Sequence, residues 1–116
     1  MAISELITGT EAIGATEHSL ATDTSYTSGD AQTTDGIYQL FVDLSDMVAG
    51  DEVRIRLWEK VLSSSTQRIA DEWTFFGAQS KPVFVTPAVM LLHGWDWSAT
   101  GVAGTITIDW SIRQVS

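Results

Sequence analysis

Two histidines, a scatter of carboxylates and five tryptophans are the side chains here whose types could do chemistry. His18 and His93 each carry an imidazole able to act as a base near neutral pH. Neither lies in a nucleophile motif: no Gly-x-Ser-x-Gly string occurs, and no Cys is present to supply a thiolate or bind zinc. Both are expected to be structural or surface residues. Paired carboxylates could cleave a glycosidic bond, and Asp71, Glu72, Asp96 and Asp109 are available. Asp71 and Glu72 are neighbours in a segment of strand character, so they point to opposite faces and make a poor acid/base pair. Asp43, Asp46, Asp51 and Glu52 offer hard oxygen ligands to calcium, but their spacing lacks the central Gly and distal Glu of an EF-hand loop. They read as solvated loop carboxylates. Gly101-Val-Ala-Gly104 lacks both the Lys and the following helix of a phosphate loop. The expectation is a protein that is not an enzyme, with no cofactor and no metal.

Tryptophan is abundant for 116 residues, and large aromatics serve cores, interfaces and sugar platforms alike. Trp73 and Trp110 fall on inward-reading faces and are expected in the core. Trp58 shares its face with Arg54, Arg56 and Lys60, so it either packs beneath a loop or anchors a contact with another chain. With Arg68 these form an aromatic and basic stripe on two neighbouring strands, a candidate contact with an acidic partner or another subunit. Ordinary cross-strand charge pairing is the competing explanation. Trp95 and Trp97, two residues apart, point the same way, either into the core or outward as a platform for sugar rings.

Those residues are positioned by strands. Period-two alternation places Tyr38, Leu40, Val42 and Leu44 on one face of 36–44. It sets Val53, Ile55, Leu57 and Val61 against Arg54, Arg56, Trp58 and Lys60 in 51–61, with Glu59 the one exception. Ile69, Trp73 and Phe75 share a face of 67–76, Pro87 breaks or edges the apolar run 83–92, and Ile106, Ile108, Trp110 and Ile112 line the last strand. Residues 1–35 read as an irregular N-terminal arm with one or two short strands, part of the single domain whose core is 36–116. Seven or eight short strands separated by turn signals predict an all-β fold, an antiparallel β-sandwich of jelly-roll type. A hydrophobic fraction of 44% against 18% charged residues favours a packed core over a disordered acidic chain. The net charge of −9 repels phosphate backbones and anionic lipid, so neither nucleic acid nor membrane is expected as a partner. No signal peptide is evident, and synthesis in a reducing cytoplasm is expected.

The strings Asp35-Gly-Ile-Tyr-Gln-Leu-Phe-Val-Asp-Leu44, Gly50-Asp-Glu-Val-Arg-Ile-Arg-Leu-Trp-Glu-Lys-Val61, Pro82-Val-Phe-Val-Thr-Pro87 and Ile108-Asp-Trp-Ser-Ile-Arg113 resemble small virion proteins of tailed phages, of the capsid decoration or cement type. The resemblance implies a β-sandwich on the outer capsid surface, often a homotrimer, that clamps neighbouring subunits of the major capsid protein after the shell expands. It carries over no individual functional residue, because such proteins work by surface. The arm and the Arg54, Arg56 and Trp58 stripe are then the candidate contacts, and deletion of 1–30 is expected to abolish attachment while leaving a folded domain. The alternative is a carbohydrate-binding module or virion adhesin that uses Trp95 and Trp97.

Overall fold

A computed structural model describes residues 2–28 and 32–115. The strands are β1 (Ile3–Ile13), β2 (His18–Ser19), β3 (Thr24–Ser25), β4 (Gly36–Asp43), β5 (Glu52–Glu59), β6 (Arg68–Phe76), β7 (Val83–Val85), β8 (Val89–Leu91), β9 (Asp96–Ala103) and β10 (Ile106–Val115). Sheet I has the order β1-β10-β4-β7, with β8 also on β4; sheet II has the order β3-β2-β9-β5-β6. Every pairing is antiparallel, and the pairs nest: β1 with β10, β2 with β9, β4 with β7 and β8, β5 with β6. First strand with last, then inward by steps, is the jelly-roll connection, here a two-sheet sandwich. Strands β7 and β8 behave as one strand broken at Thr86-Pro87-Ala88, where Pro87 can donate no ladder hydrogen bond. No helix among the described residues is long and apolar enough to cross a membrane.

The alternation read from the sequence places the core. Tyr38, Leu40 and Val42 from β4, Val53 and Ile55 from β5, and Ile106, Ile108 and Ile112 from β10 are all fully buried between the sheets. Trp110 lies flat against β1, where its register partner is Gly9. A Cβ at Gly9 would stand 2.2 Å from the indole ring, so only glycine leaves room for it. The indole Nε1 donates to the Leu20 carbonyl at 2.9 Å, which ties sheet I to the β2–β3 turn of sheet II.

Three local expectations are corrected. The first third of the 1–35 arm is one long strand: β1 pairs with β10 from Ile3 to Ile13, with a register shift between Glu5 and Ile7, and Ile13 and Leu20 join the core. The remainder is a turn and the short β2–β3 hairpin, with residues 1 and 29–31 outside the described residues. Val61, expected inside, is 86% exposed because β5 ends at Glu59. Glu59 itself follows the inward phase at the end of the sandwich, where its carboxylate accepts the N–H groups of Lys60, Leu92 and Gly94. Ile69 does not share a face with Trp73 and Phe75. The register slips between Leu57 and Trp58, so Leu57 faces Asp71 while Trp58 faces Ile69, and that extra residue turns Ile69 to the outer face.

Candidate functional site

The outer face of sheet II carries part of the expected stripe. Arg54, Arg56 and Trp58 project from β5 on this side, opposite Thr74, Glu72 and Ile69. The charges are spent inside the protein: Arg56 Nε donates to Glu72 Oε1 at 2.6 Å and its Nη1 lies 3.8 Å from Glu17, while Arg54 lies 3.7 Å from the same Glu72 oxygen. The Arg56 bond and the two guanidinium charges hold the Glu72 carboxyl below the usual carboxylate range. Trp58 is half-buried beneath the 14–28 segment, stacked on Tyr26 at 4.5 Å, with Nε1 donating to Ser98 Oγ at 2.8 Å. Lys60 and Arg68 do not join them: Lys60 lies beyond the end of β5, and Arg68 is paired with inward-phase Glu59. The stripe is a packed polar layer under a loop, and of the two explanations cross-strand charge pairing describes Arg54 and Arg56.

The same layer holds a buried acid that the sequence offered only as a catalytic carboxylate. Asp96 is fully buried; Oδ1 accepts the Ala21 N–H at 3.2 Å, and Oδ2 accepts no hydrogen bond. Burial pushes its pKa up to about 7 against the pull of the Ser19 hydroxyl and the Ala21 and Trp97 N–H groups, and the nearby Glu17 charge adds to the rise. Glu17 is bonded by the Ser98 hydroxyl, and the Tyr26 hydroxyl donates to Gln67. Burial, followed by the Asp96 and Glu17 charges, raises Tyr26 to about 12.

Trp95 and Trp97 are fully buried, edge to face at 5.7 Å, and Trp95 also packs on Tyr38 at 4.5 Å. Rings with no exposed face cannot stack a sugar, so of the two directions open to this pair it takes the core and forms no platform. Trp110 is in the core as expected, and Trp73 packs half-buried against it beside Phe84. Of the four acid/base candidates, Asp109 lies on sheet I and the other three on sheet II. Two of the loop carboxylates cap turns, Asp43 Oδ1 accepting the Ser45 N–H and Asp51 Oδ2 the Val48 N–H, and Asp46 Oδ2 accepts the Thr107 N–H and ties the loop to β10. One mixed group, Glu11, His18 and Asp23, brings its ligand atoms within 4.8 Å of one another, but His18 Nε2 is already engaged with Asp23 Oδ1 at 2.8 Å. His93 is half-buried in the turn before β9.

The open surface is the outer face of sheet I, which carries a shallow trough of about 450 Å³. Register sets its rows. Thr8, Ser111, Phe41 and Val85 form one row; Thr10, Asp109, Asp43 and Val83 form the next. Thr10 Oγ1 donates to Asp109 Oδ1 at 2.7 Å, and Ser111 Oγ donates to Glu5 Oε2 at 2.7 Å. The Arg113 guanidinium lies 3.8 Å from the Phe41 ring centre, and its Nε donates to Ser111 Oγ. Hydrogen bonds from Ser45 hold the Asp43 carboxyl below the usual range. Further along the strands, Ile3, Val115, Ile37 and Met90 make an apolar row across four neighbours, with Ile3 66% and Met90 83% exposed. Sequence reasoning missed this face, since its members are the outward positions of strands far apart in the chain.

No protein-family model and no curated protein matches the chain. Among solved structures, it is similar to a protein of Bacillus endospore appendages described as disulfide-linked pili. The TM-score is 0.49 and the identity 11%, over 98% of this chain and 87% of that one.

Proposed function

We propose that this chain is a non-catalytic surface-binding protein, a capsid decoration or cement protein that attaches to the outside of an assembled tailed-phage shell and stabilises contacts between major capsid subunits. The observation that carries it is the asymmetry of the two sheets. Sheet II has the polar layer around Trp58 packed under the 14–28 segment and its arginines paired internally, with Ile69 and Phe76 exposed on its edge strand β6, whereas sheet I leaves a trough and an apolar row that runs across four strands uncovered. The sequence resemblance names the class of surface it would meet. Attachment restricted to the assembled state stabilises that state by mass action, without any bond being made or broken. The glycan alternative loses its support with the burial of Trp95 and Trp97.

Light scattering on the purified protein followed by co-sedimentation with a panel of expanded tailed-phage shells tests this. A trimer that pellets with shells is expected. A monomer that pellets removes the trimer and keeps the decoration role, and protein that stays in the supernatant with every shell overturns that role.

A further inference from the structure

We propose that the outer face of sheet I docks an extended segment of another protein, seating a Lys or Arg side chain between Asp43 and Asp109 and an apolar side chain on the row of Ile3, Val115, Ile37 and Met90. The inference rests on the surface-binding role above and names the partner's chemistry. Asp43 and Asp109 are direct register partners on β4 and β10, and like charges placed opposite each other on a sheet repel. No ion pair among the described residues reaches either one. Their bonds come from neutral donors, the Thr10 hydroxyl and the Ser45 N–H, and the nearby cation, Arg113, is committed to Phe41 and Ser111. Two uncompensated carboxylates beside an uncovered apolar surface in a chain of net charge −9 are complementary to a cation that arrives with apolar contacts. Distance sets the spacing. Val115 and Asp109 are six residues apart on β10, roughly 20 Å at strand rise, so the two anchors of an extended partner stand about six residues apart.

The test is amide chemical-shift mapping of the intact protein with synthetic heptapeptides carrying Leu at one end and Lys at the other, in both orders, over Ser-Thr spacers. Lys peptides are expected to shift the amides of Thr10, Phe41, Asp43, Asp109 and Ser111, and the same peptides with Glu in place of Lys to leave them unmoved. The double variant Asp43→Asn/Asp109→Asn, whose amide oxygens still accept the Thr10 and Ser45 bonds, is expected to weaken Lys-peptide binding at least tenfold. Met90→Ser, at an exposed position, weakens it separately. Equal response to the Glu peptides, shifts centred on sheet II, or unchanged affinity in the double variant overturns the proposal. Shell co-sedimentation separates the two levels. A double variant that pellets like the parent sinks the docking site and leaves decoration standing, while a parent that binds Lys peptides and no shell does the reverse.

Discussion

Asp96 is the residue whose environment most clearly sets a measurable property. An acid whose folded pKa lies near 7 and whose unfolded pKa is near 4 holds a proton in the native state that the unfolded chain releases. Between those values the native state binds more protons, so stability falls as pH rises from about 4 to about 7 and is level beyond. A shift of this size has a ceiling of roughly 4 kcal/mol, at 1.36 kcal/mol per unit. Glu72 acts with the opposite sign, its pairing with Arg56 being lost as pH falls through its lowered pKa, but its exposure on the sheet surface makes that a minor effect. Asp96→Asn keeps an acceptor for the Ala21 N–H and removes the ionisation. Urea denaturation at pH 5, 6, 7 and 8 should show a parent midpoint that declines through about pH 7 and then levels and a flat one for the variant, with the variant the more stable at pH 8. A parent midpoint that does not move across this range would contradict the buried carboxyl as the source.

Strand β1 decides whether the N-terminal segment can be separated from the domain. Removing residues 1–30 strips one of the two strands paired with β10, takes Ile13 and Leu20 out of the core and leaves Trp110 Nε1 without its acceptor. Loss of two buried aliphatic side chains alone costs several kcal/mol, comparable with the whole stability of a small domain. The truncated chain is therefore expected to lose its near-ultraviolet dichroism and protease resistance, and its failure to bind shells would say nothing about contact. A truncated chain with a cooperative melt would show that β1 is dispensable. Legibility of the elements follows from the same packing. Strands β4, β5 and β10 alternate cleanly because one face of each is fully buried. The alternation in β1 is hidden: its register shifts between Glu5 and Ile7, and its inward positions include Gly9, made small by the Trp110 ring, and Glu11. The slip opposite Leu57 and Trp58 similarly misplaced Ile69. The paired direction of Trp95 and Trp97 was readable from their spacing, but which face was covered depended on the second sheet. Asp43, Asp109, Thr10 and Phe41 were unreadable as a group, because only the order β1-β10-β4 brings them together.

At the scale of the whole molecule, the jelly roll separates two kinds of surface. Over sheet II Arg54 is tied to Glu72 and Arg56 to Glu72 and Glu17, while Arg113 on sheet I is held against Phe41 and Ser111, so no ion pair among the described residues offsets Asp43 or Asp109. A protein of net charge −9 that presents such a face to a basic partner is steered toward it, and steering acts on the rate of encounter more than on the lifetime of the complex. The Debye length shortens from about 10 Å at 0.1 M salt to about 3 Å at 1 M, below the distances over which the sheet I carboxylates act in concert. Attachment to immobilised shells, followed by surface plasmon resonance, should therefore slow on the order of tenfold in association between low and high salt while dissociation changes little, the apolar row holding the complex once formed. Association that quickens with salt would mean that the docked surface is acidic, and would overturn the sheet I carboxylates as the contact.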